Sequence, residues 1–149
     1  MIGSKILLVD DEEIFCNNMT KLLQNRSYKV TAVYNGESAI KALEQEKYDV
    51  VVLDLKMPGM NGIATLKQIK ELGIITETLL LTGHGSIDSA VEAIRLGAYD
   101  FLTKPCEIDE LVEKIEGAWR KKDDAWKKDM EEKLKKVVES PSAVFKLFV

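Results

Sequence analysis

The sequence predicts an α/β fold, a doubly wound five-stranded parallel sheet in the order 2-1-3-4-5 with helices on both faces. Three observations carry it. The strands are unbroken aliphatic runs, as in Lys5-Ile-Leu-Leu-Val-Asp10 and Asp49-Val-Val-Val-Leu-Asp54. A strand apolar on both sides is buried on both faces, the mark of a parallel sheet. Each strand is followed by a helical pattern, and β-α units in series build a layered α/β fold. The strands also end on polar residues, and open parallel sheets bind their ligands at the carboxyl ends of strands. Right-handed crossovers set the order and put a switch point beside strands one and three. A barrel would need about eight strands and roughly 250 residues, more than the 149 present.

The elements follow in turn. Strand Lys5–Asp10 leads to a helix over Glu13–Asn25, with Ile14, Leu22 and Leu23 predicted on its apolar side. Tyr28–Tyr34 reads as the second strand, and Asn35-Gly36 as a turn into a helix over Ser38–Gln45. Strand Asp49–Asp54 runs into Met57-Pro-Gly-Met-Asn-Gly62, a breaker cluster, before a helix over Ile63–Leu72 that Gly73 ends. Strand Thr78–Thr82 precedes Gly83-His84-Gly85 and a helix over Ile87–Leu96 stopped by Gly97. Tyr99–Leu102 is the last strand. A final helix opens after Cys106, where Glu107, Asp109 and Glu110 suit the positive end of its dipole.

Beyond Ala118 the character changes. Trp119, Trp126, Met130, Leu134 and Val138 mark an amphipathic helix continuous with the last one, among lysines and acids. Such a face either covers the domain itself or meets a partner, because tryptophan is unfavourable in water. Ser140-Pro141-Ser142 breaks it, and an apolar ending, Ala143 to Val149, follows. The division expected is residues 1–122 as the working domain and 123–149 as a helical extension with an apolar tail.

Composition narrows the class. Acids exceed bases, for a net charge of −4, and no basic stripe with aromatics suggests direct nucleic-acid contact. Cys16 and Cys106 lack metal-ligand or CxxC spacing and read as reduced thiols. The opening residues carry no signal-peptide pattern, so none is expected, and no apolar run approaches the roughly 20 residues of a membrane span. The expectation is a cytoplasmic protein without membrane contact.

The chemistry lies at the strand ends. Asp10, Asp11 and Asp54 converge at the switch point, joined by Thr82 and Lys104. Each like-charged carboxylate pair costs about 4 kcal/mol at 4 Å and an effective dielectric constant near 20, so the cluster either protonates or binds a cation. Oxygen donors suit Mg²⁺ or Mn²⁺. With the metal bound, an aspartate oxygen so placed can act as a nucleophile towards phosphorus, and Lys104 and Thr82 would hold the remaining phosphoryl oxygens.

Val9-Asp10-Asp11-Glu12, Leu53-Asp54-Leu-Lys-Met-Pro-Gly-Met-Asn-Gly62, Leu81-Thr82-Gly83 and Gly97-Ala-Tyr-Asp-Phe-Leu-Thr-Lys104-Pro105 together resemble the receiver domain of bacterial response regulators, a flavodoxin-like fold, over about the first 120 residues. The resemblance implies that Asp54 is the phosphoacceptor for a sensor histidine kinase or phosphotransfer protein. It implies Asp11 as direct Mg²⁺ ligand, Asp10 as the carboxylate acting through metal-bound water, and the Lys56 backbone carbonyl as a further ligand. Thr82 and Lys104 match the switch hydroxyl and phosphate-binding lysine, and Phe101 the switch aromatic. Lys56 and His84, each two residues past a site residue, match positions that border the path of attacking water and tune dephosphorylation, and His84 would either orient that water or be an exposed loop residue. The Lys104–Pro105 bond is expected to be cis. The output face would be the fourth helix, fifth strand and fifth helix, meeting a downstream effector or a second copy together with the C-terminal helix.

Taken singly, Asp10 and Asp11 would serve as helix caps and Thr82 as a loop hydroxyl; the five positions together favour the receiver. The competing enzyme is a haloacid-dehalogenase-like Mg²⁺-dependent phosphatase, but that family wants an acid two positions after its nucleophile, where this chain has Lys56. A nucleotide binder would want a Gly-rich loop after the first strand. On the receiver reading the only turnover is of the domain's own phosphoryl group. The output is either that of a single-domain regulator or that of a transcription factor, since the extension resembles the linker of enhancer-binding activators.

Overall fold

The computed structural model describes residues 3–56, 61–83 and 87–139; the positions of Met57–Met60, His84 and the tail from Ser140 lie outside them. The strands are β1 (Lys5–Val9), β2 (Lys29–Val33), β3 (Val50–Asp54), β4 (Glu77–Thr82) and β5 (Asp100–Thr103). The helices are α1 (Glu13–Asn25), α2 (Gly36–Gln45), α3 (Gly62–Glu71), α4 (Ile87–Arg95) and α5 (Ile108–Glu139). The sheet is parallel throughout, in the order β2-β1-β3-β4-β5, as the alternation predicts.

Strand alternation divides the core in two. Leu7, Val9, Val51, Leu53 and Leu80 face α2, α3 and α4, meeting Ala39, Leu43, Leu66, Ile69, Ala90 and Ala93. Their neighbours Ile6, Leu8, Val50, Val52, Leu79 and Leu81 face α1 and α5, meeting Cys16, Met19, Leu23, Leu111, Ile115 and Ala118. Successive side chains on a strand point to opposite faces, so an all-aliphatic strand feeds both cores.

One expectation about α1 fails. Leu23 is buried, but Ile14 is 80% exposed and Leu22 43%. At about 100° per residue, the stripe through Leu23 passes back to Met19 and Cys16, both buried. Ile14, nine positions before Leu23, falls about half a turn away. Asn35 is a cap rather than the start of a turn: its side chain accepts from the Ser38 N–H at 2.8 Å, so α2 starts at Gly36. Gly73 and Gly97 take positive φ after α3 and α4.

The last helix is one piece. Its 32 residues span about 48 Å at 1.5 Å each. Leu111, Ile115 and Ala118 pack on the sheet, and Trp119 is partly buried beside them. The helix then continues past the amino ends of β3 and β4. There Lys122 Nζ lies 2.6 Å from Asp49 Oδ1, and Lys121 Nζ 3.7 Å from Glu77 Oε2. Trp126 and Met130 line a groove of about 500 Å³ with Leu43, Tyr48, Ile74 and Ile75. Leu134 and Val138, further out, are exposed. Among the described residues, no helix is long and apolar enough to cross a membrane.

Candidate functional site

Asp10 follows β1 directly and Asp54 ends β3, and these strands are neighbours in register, Val9 beside Leu53. Their carboxylates therefore emerge at the same edge, and Asp11 joins them before α1. Asp10, Asp11 and Asp54 each offer an oxygen within 4.8 Å of the others. Asp10 is wholly buried, Asp54 is 4% exposed, and Asp11 faces solvent. Asp10 Oδ1 accepts from the Glu12 N–H at 2.9 Å, and Asp54 Oδ1 from the Lys56 N–H at 3.2 Å. Asp10 thus holds the entry to α1, but most of its bonding capacity faces the cluster.

Lys104 reaches in from the end of β5. Its N–H donates to the Thr82 carbonyl at 2.7 Å, and the following bond to Pro105 is cis, as expected. Nζ lies 2.6 Å from Asp10 Oδ2 and 3.7 Å from both Asp54 Oδ2 and Glu12 Oε1. One ammonium thus serves three acids, and the uncompensated charge leaves its trace on Asp54. Burial above all, then the Asp10 charge, pushes the Asp54 carboxyl up to about 6, against the pull of Lys104 and the Lys56 N–H. Burial opposes the charge on Lys104, but its hydrogen bond to Asp10 and the surrounding acids outweigh this and raise its pKa. A site that strains to ionise its own carboxylate is one a divalent cation would relieve.

Thr82 closes β4, next to Leu81, the register partner of Asp54. Its hydroxyl is buried with no hydrogen-bond partner among the described residues, and such a group costs about 1–3 kcal/mol. Phe101, beside Leu80 in register, is partly buried against the core under α4. Lys56, two residues past Asp54 and bonded to it through its N–H, is exposed.

The expected residues Asp10, Asp11, Asp54, Lys104 and Thr82 thus gather at one edge. Two contributors were not anticipated. Glu12 reaches Lys104, and the Phe15 ring lies under it, with Nζ 4.4 Å from the ring centroid. The signal for Phe15 is its place four residues after Asp11, within the first turn of α1, where a side chain points back towards the helix start. Beneath it Cys16 is buried, and burial, followed by the nearby Asp10 charge, lifts its thiol to about 11. Such a thiol is inert packing rather than chemistry.

The response regulator receiver domain model matches residues 6–116. The transcriptional regulatory protein ZraR of Salmonella typhimurium is 40% identical over 120 residues, 79% of this chain and 27% of that protein. FixJ of Bradyrhizobium diazoefficiens is 37% identical over 124 residues, 83% of this chain and 60% of that protein. The crystal structure of a receiver domain protein from Clostridium thermocellum superposes with a TM-score of 0.77 at 31% identity, covering 80% of this chain and 97% of that one. This chain therefore spans about a quarter of ZraR and three fifths of FixJ. Nothing in these similarities supports the phosphatase alternative. Fold, strand-end acids and sequence similarity agree: the chain belongs to the response regulator receiver domain family, whose business is phosphoacceptor signalling.

Proposed function

We propose that this chain accepts a phosphoryl group on Asp54, with Mg²⁺, from the histidine of a sensor kinase or a phosphotransfer protein. In this reading residues 1–122 perform the transfer and residues 123–149 pass on its consequence. The supporting observation is one juxtaposition: three acids with oxygens within 4.8 Å of one another, and a lysine bridging two of them. Asp10, Asp11, Asp54 and the Lys56 carbonyl would hold the ion, and an all-oxygen donor set fits Mg²⁺ or Mn²⁺. Bound there, it would neutralise the charge of the transferred group.

An Asp54 oxygen attacks phosphorus. The new O–P bond forms as the N–P bond to the donor imidazole breaks, and the imidazole nitrogen keeps the electron pair. Lys104 meets the charge on the phosphoryl oxygens, which is most of what phosphoryl transfer needs. The unpartnered hydroxyl of Thr82 donates to another of them. As Thr82 commits to the phosphoryl group, room opens for Phe101 to turn, and the face of α4, β5 and α5 changes shape for an effector or a second copy. Lys56 and His84 tune how long the phosphoryl group lasts. The only reactions catalysed are the domain's own phosphorylation and the hydrolysis of its acyl phosphate. Likeness to ZraR and FixJ, both transcriptional regulatory proteins, favours transcription control as the output.

Incubation with Mg²⁺ and acetyl phosphate should add one phosphoryl group, seen by intact mass under conditions that preserve acyl phosphates. Asp54→Asn and chelation should each abolish it. A wild-type mass that stays unchanged defeats the proposal.

A further inference from the structure

We infer that Phe15 is a positioning residue for Lys104, its ring face holding the ammonium where it can be handed from Asp10 to a phosphoryl group on Asp54. The inference rests on the phosphoacceptor reading of Asp54. It begins with an imbalance. The lysine is not centred on the nucleophile: Nζ is 2.6 Å from Asp10 and 3.7 Å from Asp54. An ammonium captured wholly by Asp10 would be poorly placed to meet charge developing at Asp54. Lysine is a point charge on a flexible stem with four carbons, and directional partners alone fix it where they pull hardest.

The ring supplies a different kind of hold. The distance of 4.4 Å from Nζ to the Phe15 centroid is well within the roughly 6 Å over which a ring quadrupole attracts a cation. The Lys104 side chain is 14% exposed, so water screens the contact little. Attraction to a π-face has no single acceptor atom. Nζ can therefore shift between the two aspartates without leaving the ring, while the ring keeps water from that side of the charge. An aliphatic side chain would fill the space without attracting the charge. Phe15 belongs to α1 and Lys104 follows β5, so the contact also ties the first helix to the end of the last strand across the acid cluster.

The experiment compares labelling by acetyl phosphate with Mg²⁺ in wild type, Phe15→Leu and Phe15→Tyr, with thermal unfolding followed in parallel. Phe15→Leu should slow labelling about fivefold, equivalent to about 1 kcal/mol at 1.4 kcal/mol per tenfold. Phe15→Tyr, which keeps a π-face, should restore the rate to within about twofold, as ring attraction rather than volume is the cause. In proton NMR the Lys104 Hε resonances should be shifted upfield by the ring in wild type and return to ordinary positions in Phe15→Leu. Pentafluorophenylalanine at position 15 keeps the shape but reverses the quadrupole, and should slow labelling as Leu does even if Phe15→Leu proves too unstable to assay. An unshifted Lys104 in the wild type, or a fluorinated ring that labels at the wild-type rate, overturns the inference. Failure of the wild type to label would instead indict the phosphoacceptor reading.

Discussion

At the scale of single residues, the site shows a carboxylate kept in a state it resists. The Asp54 carboxyl, at about 6 rather than its usual 3.8, is harder to ionise in the folded protein than in the unfolded chain, chiefly because it is buried. A raised folded pKa means a contribution to stability that is complete below the unfolded value and lost as pH rises through about 6. Above that, ionised Asp54 weighs against the fold. Asp54→Asn keeps an acceptor for the Lys56 N–H without the charge. In chelator at pH 7.5 it should therefore be more stable than wild type by about 2–3 kcal/mol, at 1.4 kcal/mol per pKa unit. Urea unfolding across pH should show that gain shrinking below about pH 6 and gone near pH 4, as wild-type Asp54 protonates. Saturating Mg²⁺ should erase or reverse it by stabilising wild type. Lys56 carries a second test, since its protonated amine has no acceptor with which to guide attacking water. Lys56→Asn should shorten the phosphorylated lifetime several-fold, and an unchanged decay rate would remove that role. The acids, Thr82 and Lys104 were legible in the sequence because strand ends converge by topology. Phe15 and Glu12 were not, because their contribution depends on how α1 is rotated about its axis.

The phase of a helix, at the scale of elements, is set by what it packs against, and composition alone misleads. In α1, Ile14 and Leu22 are the more hydrophobic choices, yet Cys16 and Met19 are buried instead. Strands were easier to read, because an aliphatic residue in a doubly covered strand is buried whichever way it points. Caps were partly visible. Asn61 accepts from the Ala64 N–H at 2.9 Å and starts α3 at Gly62, one residue before the apolar pattern predicts. Gly62 is needed there for closeness rather than for its dihedrals. A Cβ would lie 2.5 Å from Leu55 Cα and 2.7 Å from the Asp54 carbonyl oxygen, both backbone atoms that cannot yield. Gly62→Ala should push α3 off the end of β3, costing about 1–3 kcal/mol as overpacking does. Because the displaced strand end carries Asp54, labelling by acetyl phosphate should slow as well. Wild-type unfolding and labelling in this variant would show that the loop absorbs a methyl group.

Across the whole molecule, the acid cluster lies at the carboxyl ends of the strands and the α5 extension passes their amino ends, and β5 with α5 offers a route between them. The route is short. Phe101 packs on the α4 side, while its neighbour Asp100 accepts a hydrogen bond from the Lys114 ammonium of α5. Burial alone would raise the Asp100 pKa, but that hydrogen bond holds it below the usual value, so the link stays ionised at neutral pH. On the proposed reading, a turn of Phe101 would act next to a strand residue already tied to the helix. Further along, Lys121 and Lys122 fasten the same helix to Glu77 and Asp49 at the amino ends of β4 and β3. Moving such a two-state device from 1:99 to 99:1 takes about 5.5 kcal/mol. Two new charge-assisted hydrogen bonds at the phosphoryl group, at about 1.5–3 kcal/mol each, approach that figure. Hydrogen exchange over Ile108–Glu139 should accordingly differ between unphosphorylated and fully phosphorylated wild type. In Phe101→Ala, compared at equal phosphoryl occupancy, the difference should fall to the noise, because the room opened by Thr82 no longer has a ring to fill it. Lys122→Ala, which leaves the site untouched, should raise exchange in the distal half of α5 in both states without changing the labelling rate. If wild-type α5 exchanges identically with and without the phosphoryl group, β5 is not the conduit and the extension is a static strut.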